Sequence, residues 1–316
     1  MRDKFDREIN YLRISVTDEC NLRCIYCMPN EGGCDTYSED LLSRKEIVEI
    51  VQAAVSLGIT KIRITGGEPL VRPDIVDICR DVASVKGIKE LAITTNGLLL
   101  ADLAEPLKEA GVTRVNVSLD TLQTDKFRRI TRRGKYKEVV AGIRKALQAG
   151  LTPVKLNTVL IGGFNIDEIR DFAELTRKGD FEVRFIELMP IGECVKFPKS
   201  AFVKGDVVLE QVPELVEVGE SGVARMFRFA DGKGKVGIIS PVSQHFCLTC
   251  NKIRLTCDGK IKPCLHSSEE ILIKGLHGEE LYHTMEEAIF WKPAKHVDLS
   301  YGYQSESKRA MNRIGG

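Results

Sequence analysis

No apolar run in the sequence approaches the roughly 20 residues that a membrane-spanning helix needs, so bilayer insertion is not expected. Met1 to Glu8 alternate charges and lack the apolar stretch of a signal peptide or the pattern of a transit peptide. Charge of one sign is missing too. Lys and Arg number 46 against 45 Asp and Glu, and a net charge of +1 gives no overall basic field for nucleic acid. With no low-complexity tract or long linker, the expectation is a cytoplasmic globular chain. A hydrophobic fraction of 43% and a charged fraction of 29% are ordinary for that class. Since 316 residues exceed what one core usually spans, one large domain with an appended unit, or two domains, is predicted.

Ten cysteines are present, and the cytosol keeps thiols reduced, so metal or redox chemistry is a better reading than a disulfide framework. From Tyr11 to Pro190 β-rich runs alternate with amphipathic stretches, the pattern of βα units on a parallel sheet. The strands are predicted over Tyr11 to Thr17, Lys61 to Thr65, Glu90 to Thr95, Arg114 to Asp120, Pro153 to Leu160 and Glu182 to Leu188. Ser43 with Glu46 makes a capping box, followed by Ile47, Val51, Ala54 and Val55 on one helical face; Val140, Ile143 and Leu147 repeat the spacing. Gly58, Gly111, Gly150 and Gly179 stand where a left-handed residue would close each helix. After about Glu220 short strands surround turn signals. One hairpin is expected from Met226 to Ser240 around Asp231-Gly232. A second would turn at Asp258-Gly259 and bring Cys264 opposite Ile253, near Cys250. A helix is expected over Leu281 to Phe290, before a basic tail.

Cys20, Cys24 and Cys27 form C-x3-C-x2-C directly after the first strand, at the C-terminal mouth of the sheet where barrel active sites lie. Three thiolates can hold three corners of a four-iron cluster and leave one iron open. A structural zinc knuckle and a ferredoxin-type centre are the alternatives, and Cys34 could complete a four-cysteine set through the bend at Gly32-Gly33. Cys247, Cys250 and Cys264 form C-x2-C-x13-C, again with three thiols; a zinc ribbon completed by His245 or His266 is its alternative.

The first cysteine pattern, with Tyr26 before its third member, resembles the radical S-adenosylmethionine superfamily, as does Thr65-Gly66-Gly67-Glu68-Pro69. The wider likeness is to the GTP 3′,8-cyclase family. It rests on Leu12 to Asp18, Ile239 to Val242, Phe246-Cys247, Cys250 to Thr256, Asp258-Gly259, Cys264-Leu265 and Met311 to Gly316, and covers essentially the whole chain. The resemblance implies an α/β fold, an incomplete (βα)6 TIM-like barrel over 1–219, with a C-terminal α+β extension over 220–316 carrying a second Fe-S cluster. It implies two [4Fe-4S] clusters, the first cleaving S-adenosylmethionine to a 5′-deoxyadenosyl radical. That radical takes hydrogen from ribose C3′ of GTP, whose carbon then attacks C8, in the first step of molybdenum cofactor biosynthesis.

By position, Tyr26, Gly67, Ser118 and Met189 are implied contacts to S-adenosylmethionine, and Arg13, Arg63, Thr94, Lys155, Lys252, Ile253 and Arg254 contacts to GTP. Arg184 would assist conversion of the cyclised radical, and Gly315 and Gly316 would enter the active site. Lys252 stands where the family usually has Arg, replacing a planar fork by a point charge. Cys257 shares strand parity with Ile253 and is read as an extra thiol near the second set, whereas Cys79 and Cys194 are read as packing residues. A flavodoxin or ferredoxin as electron donor is implied, with no nucleic-acid or membrane partner; a homodimer is compatible with the sequence and not decided by it. A peptide-modifying radical enzyme with an auxiliary cluster shares the first motif but not the Arg-rich cysteine hairpin. An electron carrier or zinc-stabilised interaction protein would not cleave S-adenosylmethionine.

Overall fold

The computed structural model describes residues 1–29, 40–299 and 304–315. Six parallel strands, β1 (Tyr11–Ser15), β2 (Lys61–Thr65), β3 (Glu90–Thr95), β4 (Arg114–Ser118), β5 (Val154–Leu160) and β6 (Phe181–Glu187), lie side by side in chain order. The intervening helices are α1 (Arg44–Ser56), α2 (Ile75–Ser84), α3 (Leu100–Glu109), α4 (Thr124–Thr131), α5 (Tyr136–Gln148) and α6 (Ile169–Lys178), and α7 (Val207–Gln211) follows β6. Even positions of β1 and β2, such as Leu12, Ile14, Ile62 and Ile64, are fully buried with Ile47, Val51 and Ala54 of α1. The pleat therefore turns Tyr11, Arg13, Lys61 and Arg63 the other way, towards the concave side. Each buried aliphatic side chain contributes about 1.5–3 kcal/mol of hydrophobic stabilisation.

The C-terminal strands extend this sheet at both edges rather than forming a separate layer. On one side β10 (Lys252–Leu255) pairs parallel to β1, followed by antiparallel β11 (Lys260–Lys262) and β12 (Ile271–Leu272). On the other, β9 (Lys235–Ile239) pairs parallel to β6, followed by antiparallel β8 (Ala224–Arg228) and β7 (Val216–Ser221), which crosses position 219/220. The sheet of 12 strands has two ends, β12 and β7, and so remains an open barrel. Helix α8 (Gly278–Phe290) packs against α1 and β11.

Local signals were followed closely at α1, where Ser43 Oγ accepts from the Glu46 amide and Glu46 accepts from the Ser43 amide. Three expectations are corrected. On α5 the buried stripe is Val139, Gly142, Ile143 and Ala146, because Val140 and Leu147 sit at its edge. Gly58, Gly111 and Gly150 have positive φ, but Gly179 is extended at φ −137°, its amide bonded to Leu175. The second hairpin has a three-residue loop, Cys257-Asp258-Gly259, with Gly259 at φ +78°, and its pairs are Arg254 with Lys262 and Leu255 with Ile261. The expected register was one residue off, since a glycine in the left-handed region closes a three-residue turn as readily as a two-residue one.

Candidate active site

The strand ends of the barrel and the C-terminal hairpin enclose one cavity of about 500 Å³. All six cysteines of the two sets line it, as do Tyr26, Gly67, Ser118, Met189, Arg13, Arg63, Thr94, Lys155, Arg184, Lys252 and Arg254. Ile253 does not, because its side chain lies fully buried in the core on the opposite face of β10 from Lys252 and Arg254. Cys257 is buried as well and does not line the cavity; the expected parity with Ile253 leads away from it, as Ile253 itself does. Cys79 and Cys194 are buried, as expected for packing thiols. Cys34 lies outside the described residues, and so does Gly316.

Sheet register explains the electrostatics of the cavity. Arg13 is aligned with Arg254 on one neighbouring strand and with Arg63 on the other, so three arginines stand in a row on strands spaced roughly 4.8 Å apart. Burial pushes Arg13 and Arg63 down to about 9 and Arg254 to about 10. Beside Arg13 the charge of Arg254 adds to the effect, and beside Arg63 that of Arg13 does so, against Tyr11. Burial likewise brings Lys252 and Lys155 down to about 8. Crowded, desolvated cations of this kind favour a polyanion. Arg63 Nε and Thr94 Oγ1 are buried without a hydrogen-bond partner among the described residues, and Asn157 Oδ1 is an acceptor in the same condition. Such groups cost about 1–3 kcal/mol each unless a ligand completes them.

Several residues that build the site were missed in the sequence. Glu182 accepts from Lys155 Nζ at 2.6 Å and also pairs with Arg184, holding both cations on the wall. Its place two residues before Arg184 on β6 was the available signal. Tyr11, two before Arg13, lies under the Arg63 guanidinium, 5.3 Å from ring centroid to Cζ. Asp120 accepts from Tyr26 Oη at 2.8 Å and from the Val159 amide at 2.9 Å, and burial raises its carboxyl to about 6.

The first thiol set is carried on a loop stitched to α4. The Arg23 and Ile25 amides donate to the carbonyls of Thr131 and Ile130, and the Cys27 amide to that of Cys24. Burial raises the Cys20 thiol to about 11 and holds that of Cys24 well above its ordinary value, with Cys27 as its next contributor. The second set sits among cations: burial would raise the Cys250 thiol, but Lys292 and Lys252 bring it below its ordinary value. All nine described cysteines are free. Among the described residues no group of three or more His, Cys, Asp and Glu side chains is gathered for a single metal ion. Soft thiols in threes, facing a shared cavity, suit clusters that keep one position open to a ligand. His266 packs on His296 with ring centroids 4.8 Å apart and its Nδ1 lies 3.1 Å from Ser305 Oγ.

The tail closes one side of the cavity. Asn312 donates to the Asp18 carbonyl at 3.0 Å, and Arg254 Nη1 donates to the Gly315 carbonyl at 2.6 Å. Gly315 has φ +68°, and a Cβ there would lie 2.3 Å from Thr65 Oγ1. Glycine is required at this position on both counts. Further back, Arg309 forks onto Asp258 and Glu270, tying the tail to the hairpin that leads to Cys264.

Residues 14–176 match the Radical SAM superfamily and residues 181–297 match Molybdenum Cofactor Synthesis C. The chain is 50% identical to a GTP 3′,8-cyclase of Alkaliphilus oremlandii and 48% identical to one of Moorella thermoacetica, with each alignment covering all of both chains. In fold it resembles Streptococcus suis SuiB bound to S-adenosylmethionine, at TM-score 0.62 and 16% identity over 97% of this chain and 77% of that one. The HydG maturase of Carboxydothermus hydrogenoformans is similar at TM-score 0.53 and 16% identity, over 90% of this chain and 66% of that one. The paired thiol sets, the cation-lined cavity between them and the whole-length likeness lead to one family: this chain belongs to the GTP 3′,8-cyclases of the radical S-adenosylmethionine superfamily.

Proposed function

We propose that this protein converts GTP to (8S)-3′,8-cyclo-7,8-dihydroguanosine 5′-triphosphate, the first step of molybdenum cofactor biosynthesis. The single observation that carries the reading is the row Arg254, Arg13 and Arg63, buried between two three-thiol sets in one cavity. Bound there, the first cluster would supply the one electron that cleaves S-adenosylmethionine to a 5′-deoxyadenosyl radical able to take hydrogen from ribose C3′.

Cys20, Cys24 and Cys27 would hold that cluster, and Cys247, Cys250 and Cys264 would hold a second, which would supply a Lewis-acidic site for the nucleotide base. Arg13, Arg63 and Lys155 hold the triphosphate, with Arg as bidentate donor, and Thr94, Lys252 and Arg254 complete the nucleotide contacts. Tyr26, Gly67, Ser118 and Met189 orient S-adenosylmethionine. Arg184, steadied by Glu182, acts on the cyclised nucleotide with Gly315 and Gly316 positioning both. Residues 1–219 form the radical-generating part and 220–316 the part that binds the auxiliary cluster and substrate. The protein acts in the cytoplasm with a flavodoxin or ferredoxin as electron donor.

Iron and sulfide analysis of anaerobically prepared protein tests the assignment. Two four-iron clusters per chain are expected; one cluster with bound zinc would overturn it.

A further inference from the structure

The first cluster needs an electron, yet its cavity face is taken up by substrate and cosubstrate, so the electron must arrive from outside the barrel. On the outer side the cysteine loop rests on the C-terminal end of α4. Residues 126–137 hold seven Lys and Arg, an excess that the net charge of +1 conceals. Lys126 is neutralised by Asp167 and Glu168, and Lys135 by Glu138. Arg128, Arg129, Arg133 and Lys137 are exposed, and none has an ion-pair partner among the described residues. A helix C-terminus favours cations only within its last turn, which accounts for one or two of them and not for the concentration.

The joint between this surface and the cysteines is direct. Arg132 adopts φ +62°, rare for a residue with a side chain, and its Nη1 donates to the Arg23 carbonyl at 3.1 Å and the Met28 carbonyl at 3.0 Å. Arg23 precedes Cys24 and Met28 follows Cys27. With the Arg23 and Ile25 amides bonded to Thr131 and Ile130, hydrogen bonds run from the cationic segment to both sides of two of the three thiols.

We propose that Arg128, Arg129, Arg133 and Lys137 form the docking surface for an acidic one-electron carrier protein that reduces the first cluster. The inference rests on the assignment of that cluster to Cys20, Cys24 and Cys27. The carrier gives up one electron, passing from its reduced form to the form one electron more oxidised, and the cluster accepts it; no proton or bond is exchanged. An acidic partner is selected because complementary charge steers encounter and raises association rates by about 10- to 1000-fold at low salt.

The test uses the holoenzyme and its variant Arg128→Glu, Arg129→Glu, Arg133→Glu. Cluster bleaching is followed by stopped-flow absorbance with two reductants, an acidic flavodoxin in its hydroquinone form and reduced methyl viologen, a small cation. At low ionic strength the variant should be reduced at least tenfold more slowly by flavodoxin, and that deficit should shrink in about 0.5 M salt, where screening reaches only a few ångströms. Reduction by the viologen should be no slower. Undiminished reduction of the variant by flavodoxin would overturn the docking surface. Equal slowing by both reductants would do so too, by assigning these arginines to support of the loop. Absence of viologen-driven bleaching in the unaltered protein would overturn instead the cluster assignment beneath it.

Discussion

Three arginines stand in register on adjacent strands, and burial first, with neighbouring guanidinium charge after it, lowers their proton affinity. Lys252 beside them offers a point charge rather than the planar fork of an arginine. Lys252→Arg should bind GTP more tightly, by roughly the 1.5–3 kcal/mol of a buried charge-assisted hydrogen bond. Equilibrium binding at fixed ionic strength checks this, and unchanged affinity would mean the site has re-formed around lysine. Lys155 gives a pH dependence. Its proton affinity is lowered from 10.5 to about 8, mainly by burial and then by Arg184. The unfolded chain therefore holds a proton that the empty folded protein loses, so this group makes stability rise with pH between about 8 and 10.5. GTP favours the protonated lysine, so affinity should fall as pH rises above about 8, by up to about tenfold per unit, and Lys155→Gln should lose that part of the slope. Isothermal titration across this range reads both effects, and an identical slope in the variant would contradict the contact.

At the scale of elements, the tail and the second hairpin act together. The Gly315 carbonyl accepts from Arg254, and the residue sits against Thr65 and is anchored upstream by the Arg309 fork on Asp258 and Glu270. Gly315→Ala, or removal of Gly315 and Gly316, should leave both clusters and S-adenosylmethionine binding intact while cutting cyclisation by about 100-fold, the cost of a misplacement near 1 Å. Product formation by the truncated chain at the full rate would remove the tail from the mechanism. Much of this level could be read beforehand. The strands β2 and β3 and the cap of α1 matched because their signals are local: alternation within five or six residues and a side chain that reaches its own helix. The hairpin register did not, because a left-handed Gly259 serves two loop lengths equally. Nor could local pattern place the C-terminal strands, since β9 and β10 pair with β6 and β1 from far along the chain. Glu182, Tyr11 and Asp120 were missed for a similar reason: their partners Lys155, Arg63 and Tyr26 lie on other elements.

Across the whole molecule, one cavity bounded by two thiol sets implies a division of labour. Cys24→Ala should abolish reductive cleavage of S-adenosylmethionine, whereas Cys264→Ala should retain part of it and lose cyclisation. Chromatography of 5′-deoxyadenosine and of the nucleotide product checks both, and equal loss of both reactions in both variants would contradict the division. Cys34→Ala should leave cleavage intact, because the fourth position of the first cluster is reserved for the cosubstrate.

The most direct measurement follows hydrogen from GTP. Anaerobically reconstituted protein, reduced in the presence of S-adenosylmethionine and GTP carrying deuterium at C3′, should place that deuterium in 5′-deoxyadenosine and release a nucleotide linked between C3′ and C8. Formation of 5′-deoxyadenosine without deuterium, and with GTP recovered unchanged, would contradict the cyclisation.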